Sequence, residues 1–313
     1  MTTEITLAAD LGGTNLRMAA VDADGSILYR TRRETPRVER ADEVVGAIVE
    51  AAEECRANCR EFKIKALAAA VPGTVSFESG VVMHAPNVPA INGFRMGASL
   101  EHELNLPVLL ENDANAAAIG EAWLGASRSV KNSILVTLGT GVGGGIIIDG
   151  KILRGVDGTA AEIGHICVEP FGAPCGCGSR GCVEQYASAT AIVRLVQENA
   201  ARYPKSKLPG KRRLTSEDVY EAGKAGDELA LEVFRQMGFY LGLSLAGLVN
   251  VLNPEMIIIG GGAAAGWDLF IGHLRETVRE RAYREPTERA KIERAMCGDD
   301  AGILGAARLA FGK

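Results

Sequence analysis

The sequence lacks an uninterrupted hydrophobic run long enough to cross a membrane. Its most apolar stretch, residues 241–265, is broken by two asparagines, a proline and a glutamate, so no spanning helix is predicted there. An excess of basic residues is also missing, because the formal net charge is −5, and this argues against a surface that binds nucleic acid. The first ten residues contain neither a basic cluster nor a cleavage site, so no signal peptide is expected.

The composition favours a two-lobed globular protein. The chain has 313 residues, which is more than a typical single domain. Its apolar fraction of 47% is sufficient for two cores, and its 38 glycines predict many tight turns and close approaches of backbone to ligand. Seven cysteines, an odd number without a predicted secretion signal, favour a cytoplasmic location and thiolate–metal chemistry over disulfides.

The most informative feature is a group of three cysteines that follows a histidine. Cys175, Cys177 and Cys182 lie within eight positions, ten residues after His165. Three thiols and one imidazole can complete a tetrahedral shell around Zn²⁺, and the glycines among them allow the tight turns that this requires. Buried thiols or a disulfide are the alternative interpretations. Cys167 is a second candidate for the fourth ligand, because H-I-C in a strand would place Cys167 and His165 on one face.

Two carboxylates flank the predicted metal site. Glu162 precedes the histidine by three residues, and Glu184 follows the last cysteine by two. A metal ion would hold both carboxylates in place beside its own histidine ligand. Such rigid carboxylates can bind a ligand that carries several hydroxyl groups.

A pattern of strand, glycine turn and strand occurs twice. Residues 9–14 read A-D-L-G-G-T, and residues 136–141 read V-T-L-G-T-G at the matching place in a second hairpin. Asp22 and Asp149 follow at the same offset in the next turn. We interpret this as an internal duplication that produces two similar α/β lobes with a cleft between them. The last third of the chain is predicted to be mainly helical.

The glycine turns are candidate phosphate sites. In residues 10–17, exposed backbone N–H groups with Thr14 and Asn15 suit phosphate oxygens, and Asp10 could hold Mg²⁺ through water. Residues 139–144 match the dinucleotide fingerprint G-x-G-x-x-G, but a strand follows instead of the required helix. Two glycine hairpins are therefore predicted to bind one polyphosphate. A third glycine cluster, residues 260–262, could lie against an adenine or a ribose.

Asp113 is the best-placed candidate for a general base. It follows a predicted strand and precedes a helix that begins near residue 115, a position where α/β proteins often carry catalytic groups. A cap at the start of that helix is the competing interpretation, since aspartate often has that role. A phosphoryl-transfer enzyme needs such a carboxylate to accept the proton of the attacking hydroxyl.

Together these motifs resemble the ROK family of sugar kinases, in the actin-like ATPase superfamily. The matching segments are D-L-G-G-T-N-L-R (10–17), E-N-D-A-N (111–115), L-G-T-G-V-G-G-G (138–145), G-T-A-A-E-I-G-H (158–165) and C-G-C-G-S-R-G-C-V-E (175–184). Within the family, ATP-dependent glucokinases match best. The implied fold is a two-lobed actin-like (ribonuclease H-like) α/β fold with an interlobe cleft. The smaller lobe would comprise residues 1–112 and 301–313, and the larger lobe residues 113–300.

The resemblance also implies roles for individual residues. Asp113 would deprotonate the 6-hydroxyl of glucose, and His165 would use one ring nitrogen for zinc and the other for the sugar. The implied sugar-binding residues are Gly73, Asn87, Asn112, Asp113, Glu162, His165 and Glu184. The implied ATP-binding residues are Asp10, Gly12, Gly13, Thr14, Asn15, Arg17, Thr137, Gly139, Thr140, Gly141, Gly260, Gly261 and Gly262. The implied cofactors are ATP, Mg²⁺ and a structural Zn²⁺ on His165, Cys175, Cys177 and Cys182.

Further expectations and alternatives remain open at this point. Family members are commonly dimers or tetramers, and the helix over residues 228–252 is a plausible contact. No nucleic-acid or membrane partner is expected, and no DNA-binding helix-turn-helix fits before Asp10. Ala161 stands where the motif usually has glycine. The alternative functions are phosphorylation of mannose, fructose, allose or an N-acetylhexosamine, a polyphosphate donor, a non-catalytic sugar sensor, and an NAD-dependent oxidoreductase.

Overall fold

The computed structural model describes residues 3–312 and has a mixed α/β fold. The described strands are β1 (Glu4–Leu11), β2 (Asn15–Asp22), β3 (Ile27–Glu34), β4 (Lys63–Val71), β5 (Thr74–Ser76), β6 (Val81–His84), β7 (Val108–Asn112), β8 (Ser133–Leu138), β9 (Val142–Ile148), β10 (Lys151–Ile152), β11 (Met256–Gly260) and β12 (Lys291–Arg294). The described α-helices are α1 (Ala41–Asn58), α2 (Met96–Leu104), α3 (Asp113–Trp123), α4 (Glu184–Ala187), α5 (Ala189–Asn199), α6 (Ser216–Lys224), α7 (Glu228–Leu252), α8 (Trp267–Arg281), α9 (Arg284–Arg289) and α10 (Ala301–Phe311).

The first sheet has the order β3-β2-β1-β4-β7 and is buried on both faces. Alternate residues of β1 enter two different cores, as the period of a strand requires. Leu7 and Ala9 pack with the buried residues of α1 and α2. Ala8, on the opposite face, packs with Ile303 and Ala307 of α10. This two-sided burial explains why β1 and β4 are almost continuously apolar.

The second sheet repeats the strand order of the first. Its order is β10-β9-β8-β11-β12, so that β8, β9, β10, β11 and β12 correspond to β1, β2, β3, β4 and β7. In both sheets the central strand pairs in parallel with the strand that follows the crossover, β1 with β4 and β8 with β11. The internal duplication expected from the two glycine hairpins is therefore visible in the topology.

The contacts divide the described chain into two compact units. Unit 1 comprises residues up to 131, residues 145–161 and residues from 296 onward, and unit 2 comprises residues 132–144 and 162–295. The lobe boundaries expected from the sequence stay a prediction, and residues 1, 2 and 313 of the expected smaller lobe lie outside the described residues.

Within residues 3–312, helices of sufficient length and hydrophobicity to cross a bilayer are absent.

Some elements had no recognised sequence signal. These are the β5–β6 hairpin, the helices α2, α4 and α9, and the edge strand β12. The hairpin is short, and β12 alternates Lys291 and Glu293 with Ile292 and Arg294, which gives only one buried side chain. Such segments are stabilised by the elements beside them more than by their own hydrophobic pattern.

Helices α3 and α10 of unit 1 pack with their backbones in close contact. A Cβ atom on Gly305 of α10 would overlap the carbonyl oxygen of Ala116, and one on Gly120 of α3 would overlap the carbonyl oxygen of Ala301. Only glycine allows helices to approach so closely. This contact holds α3, whose first residue is Asp113, against α10.

We expect Gly305→Ala to lower the free energy of unfolding by about 1–3 kcal/mol, because the added methyl group must separate two packed backbones. Gly272→Ala in α8 is the matched control, since a Cβ there meets nothing within 4 Å. That control should raise stability by roughly 0.5–1 kcal/mol through helix propensity alone. Chemical denaturation of the three proteins measures both changes, and equal stability of Gly305→Ala and wild type would contradict the packing argument.

Candidate functional site

The histidine and the three cysteines form one compact cluster in unit 2. The ligand atoms of His165, Cys175, Cys177 and Cys182 all lie within 4.8 Å of one another. Nδ1 of His165 is 3.6 Å from Sγ of Cys175, and the sulfurs of Cys177 and Cys182 are 3.7 Å apart. A tetrahedron with Zn–S bonds of about 2.3 Å and a Zn–N bond of about 2.0 Å has S–S edges near 3.8 Å and S–N edges near 3.5 Å. The two separations of 3.6 and 3.7 Å are close to these edges, so the four side chains are gathered where a zinc ion could bind.

The loop around the cysteines is shaped by glycine and by backbone hydrogen bonds. The Cys175 N–H donates to the carbonyl of Ser179, and the Gly178 N–H donates to the carbonyl of Cys175. Gly178 and Gly181 have φ values of 90° and 68°, a region that favours glycine. A Cβ on Gly181 would also overlap the carbonyl oxygen of Glu169. These turns bring the three thiols close to one another.

Burial and hydrogen bonding act differently on the thiols. Burial raises the pKa of the Cys182 thiol to about 12. The backbone N–H of Ser179 is the main cause of a lowered pKa at Cys177, which is exposed. Bound zinc stabilises thiolates, so its binding would release the proton of a buried thiol.

Cys167, the rival ligand, is not part of the cluster. Its backbone forms an isolated bridge with that of Cys182, and its side chain is exposed. The expected strand at H-I-C is wrong, because His165 ends a 3₁₀ turn, Ile163–His165. Because His165 belongs to this turn and Cys167 follows it, their side chains do not share a face as they would in a strand.

The two carboxylates predicted beside the metal site lie at the cluster. Oε2 of Glu162 is 4.0 Å from Nε2 of His165, the ring nitrogen that does not face the thiols. Glu184, the first residue of α4, accepts a hydrogen bond from the Val142 N–H with Oε2 at 3.1 Å. Its other oxygen is 3.9 Å from Sγ of Cys175. Glu184 thus connects the thiol cluster to the second glycine turn.

We expect purified protein to contain about one zinc ion per chain. Cys177→Ser should lose most of that metal and unfold at a lower temperature, because a serine hydroxyl is a poor ligand for zinc. Elemental analysis and thermal unfolding test this, with Cys167→Ser as the control that retains both. Equal zinc content in wild type and Cys177→Ser would contradict the assignment of the ligands.

In unit 1, the segment E-N-D-A-N forms the end of β7 and the start of α3. The cap of α3 is Asn112, whose side-chain oxygen accepts from the Asn115 N–H at 2.9 Å. Asp113 is the first helical residue and is exposed, and its Oδ1 accepts from the Ala114 N–H at 2.9 Å. The cap is therefore Asn112 and not Asp113. The Asn112 amide group donates to the carbonyl of Gly73 at 2.8 Å and to Oδ1 of Asp113 at 3.1 Å. The structure therefore brings Gly73, Asn112 and Asp113 together.

The first glycine turn lies in the same unit. The Gly12 N–H donates to the Asn15 carbonyl. Thr35 holds the turn through two donated hydrogen bonds, from its N–H to the Thr14 carbonyl and from its hydroxyl to the Gly12 carbonyl. Asn87 lies against this turn, since a Cβ on Gly13 would be 3.1 Å from Cβ of Asn87.

Asp10 and Arg17 flank the first glycine turn. Their side chains are 3.6 Å apart, and Arg17 also pairs with Asp299 at 3.3 Å. Burial raises the pKa of the Asp10 carboxyl, and the nearby Arg17 guanidinium opposes that shift. A partly desolvated carboxylate at a strand end suits the outer shell of a hydrated Mg²⁺.

The second and third glycine segments adjoin in unit 2. Thr137 pairs with Gly260 across β8 and β11, and Gly261 has a φ of 87° where its backbone passes over Leu138. The turn at residues 139–141 is tied to α5, because the Thr190 hydroxyl donates to the Thr140 carbonyl at 2.9 Å. One region of unit 2 therefore contains the predicted ATP-binding residues Thr137, Gly139, Thr140, Gly141 and Gly260 to Gly262.

A cavity that the sequence did not reveal opens beside the third glycine segment. Its volume is about 440 Å³, and its lining includes Ile192, Glu217, Tyr220, Phe234 and Gly262. These residues come from α5, α6, α7 and the glycine turn. No local motif marks them, because only the packing of the three helices brings them to one place.

Ala161 has a φ of 67°, a left-handed conformation that favours glycine. It lies directly before Glu162, where the motif usually has glycine. An alanine in this left-handed conformation lowers the stability of the folded protein relative to a glycine there.

We expect Ala161→Gly to raise the free energy of unfolding by roughly 1 kcal/mol, since it relieves the left-handed alanine. Ala160→Gly is the matched control, and it should lower stability through added freedom of the unfolded chain. Denaturant titration compares the three proteins. A loss of stability in Ala161→Gly equal to that of the control would contradict the expected strain.

Comparisons with known proteins agree with this fold and these motifs. Residues 6–313 match the ROK family. The chain is 38% identical over 306 residues to a glucokinase from Halalkalibacterium halodurans, covering 96% of this chain and 92% of that protein. The crystal structure of a ROK family glucokinase from Streptomyces griseus, in complex with glucose and AMPPNP, matches with a TM-score of 0.83 at 36% identity, covering 98% of this chain and 99% of that one.

Regulators of the family are similar in structure too. A ROK family transcriptional regulator, a homologue of the Escherichia coli Mlc protein, matches with a TM-score of 0.90 at 30% identity and covers 99% of this chain. This chain covers 78% of the regulator. The protein belongs to the ROK family and has its actin-like ATPase fold, as the motifs predicted.

Proposed function

We propose that the protein transfers the terminal phosphoryl group of ATP to the 6-hydroxyl of D-glucose. The observation that carries this proposal is the exposed Asp113 at the start of α3, held beside Asn112 and Gly73 in a chain similar to glucokinases over nearly its whole length. The protein is a sugar kinase, and the finer question is which sugar it prefers.

Asp113 would accept the proton of the 6-hydroxyl as that oxygen attacks phosphorus. A carboxylate at this position removes the proton without itself forming a bond to phosphorus, so most of the acceleration comes from positioning and charge. The contact between Asn112 and Oδ1 of Asp113 restrains the carboxylate. Gly73 must remain glycine, because its φ is 91° and a Cβ there would overlap the His84 carbonyl oxygen.

The remaining sugar hydroxyls would be bound by Asn87, Asn112, Glu162, His165 and Glu184. Zinc on Nδ1 of His165 would fix the tautomer and leave Nε2, beside Glu162, for a hydroxyl. Glu184 would exchange part of its contact with the Val142 N–H for hydroxyls of the sugar. The metal would have a structural role, because its four protein ligands leave no coordination position open.

ATP would be bound by the glycine segments. Backbone N–H groups of the turns at residues 12–15 and 139–141 suit phosphate oxygens, with Thr14, Asn15, Arg17, Thr137 and Thr140 beside them. Asp10 would hold Mg²⁺ through water, and that ion neutralises charge on the phosphates when bound. The cavity beside Gly262, which Tyr220 helps to line, would take the adenine. The cytoplasmic location and the homo-oligomer through α7 stay predictions.

A sugar-responsive regulator is the second candidate, favoured by the high structural similarity to the Mlc homologue. Phosphorylation of another hexose or of an N-acetylhexosamine would still be a sugar-kinase activity, since it would use the same base and the same residues beside the metal site. A panel of sugars with ATP and Mg²⁺, followed by ADP formation, distinguishes these functions. Sugar binding without ADP formation from any sugar would favour the regulator.

We expect Asp113→Asn to lower kcat by about 10²–10⁴-fold, because the amide cannot accept the hydroxyl proton. Glucose binding, measured by calorimetry, should persist within a few-fold. Asp42→Asn is the matched control, since Asp42 is also an acidic residue in the first turn of a helix but lies in α1. Wild-type turnover in Asp113→Asn would rule out Asp113 as the base.

A further inference from the structure

An ion pair between a buried carboxylate and a partly buried guanidinium lies next to the proposed base. Glu111 is the next-to-last residue of β7, and its side chain is only 4% exposed. Its Oε2 accepts from Arg154 twice, from one terminal nitrogen at 2.7 Å and from Nε at 2.8 Å. Its Oε1 accepts from the Asn112 N–H at 3.2 Å and from the Asn115 side-chain amide at 3.1 Å. Both oxygens of one carboxylate are therefore engaged.

The guanidinium of Arg154 is itself held in one orientation. It stacks on the ring of Phe77, with 3.9 Å between the guanidinium carbon and the ring centroid. The Arg154 carbonyl accepts from the Ala160 N–H at 3.1 Å, which closes the loop after β10. Gly158 of that loop lies so close to Val75 that a Cβ would overlap the Val75 carbonyl oxygen. Arg154 is thus supported by the loop after β10 and by the β5 hairpin.

A pair of this kind is an inefficient way to stabilise a fold. Burying the Glu111 carboxylate costs free energy that its attraction to a partner often fails to return, and apolar residues of similar volume can be as stable. An ion pair with arginine does fix the orientation of a carboxylate, because the planar guanidinium group offers several N–H donors in a rigid arrangement. Here the oriented carboxylate reaches the Asn112 backbone, and the Asn112 side chain reaches Asp113.

We propose that Glu111 and Arg154 are positioning residues that hold Asn112, and through it Asp113, in the geometry needed for phosphoryl transfer. This inference rests on the proposed role of Asp113. Neither residue needs to contact sugar or ATP. Their effect is to restrict the direction of the Asp113 carboxylate, and a shift of about 1 Å in a reacting group can cost on the order of 100-fold in rate.

The experiment separates positioning from simple stability. Arg154→Met leaves the Glu111 charge buried without its partner, so we expect both the unfolding temperature and kcat to fall, the latter by about 100-fold. Adding Glu111→Gln to Arg154→Met removes the buried charge and should restore most of the unfolding temperature. If the pair positions Asp113, kcat of the double variant stays at least about tenfold below wild type, while KM for ATP changes little.

Recovery of kcat together with the unfolding temperature in the double variant would overturn the proposal, and so would a wild-type kcat in Arg154→Met. Should Arg154→Met fail to fold, Arg154→Lys keeps the charge but loses the fork and the stacking on Phe77. A kcat reduced about tenfold or more at a nearly unchanged unfolding temperature is expected there. An unchanged kcat in Arg154→Lys would again oppose the proposal.

The Arg33–Glu54 ion pair of the same unit is the matched control. Its side chains are 2.7 Å apart and about one-third exposed, and it joins β3 to α1 far from β7 in the sheet order. Arg33→Met with Glu54→Gln should leave kcat within a few-fold of wild type. Wild-type protein assayed in parallel distinguishes the proposed function from the positioning role. An inactive wild type refutes the proposed function. If wild type and the double variant of Glu111 and Arg154 are equally active, only the positioning role is refuted.

Discussion

The close contact between α3 and α10 is the constraint on which unit 1 depends. Glycine at positions 120 and 305 lets the two backbones meet without side chains between them. Buried Glu121 of α3 adds to this contact, because its carboxylate accepts from the N–H groups of Ala126, Met296 and Cys297. The start of α3, which carries Asp113, and the segment before α10, which carries Asp299, are thereby fixed in one unit.

Unit 2 depends on a different kind of constraint. The segment between His165 and Cys182 contains many exposed residues and little regular structure, so it has few apolar contacts of its own. A zinc ion bound by the four clustered ligand atoms would replace that missing core. Glu184 extends the effect to the second glycine turn, since one carboxylate contacts both Cys175 and the Val142 N–H. A change at the metal site would therefore reach the proposed phosphate site through a single side chain.

Local sequence patterns predicted much of the fold and part of the candidate site. Apolar runs located β1, β2, β4, β8 and β11, and the repeated glycine hairpins predicted the duplication seen in the sheet orders. The spacing of the thiols predicted a cluster that includes His165, whereas the strand expected there is a 3₁₀ turn. Only the structure showed that Asn112, and not Asp113, caps α3, and the role of Asp113 as a base stays a prediction. No sequence pattern pointed to Arg154, because its role depends on an ion pair with Glu111, which lies 43 positions earlier in the chain.

The sequence by itself determined much of what depends on neighbouring residues: the main apolar strands and the long helices, the glycine turns, and the group of cysteines near a histidine. The tertiary structure decided what depends on residues far apart in the chain. It placed Glu111 against Arg154, opened the cavity between α5, α6 and α7, and put Ala161 in a left-handed conformation. The physical reason is that propensity and period act over a few residues, whereas burial, ion pairing and backbone contact depend on how complete elements pack.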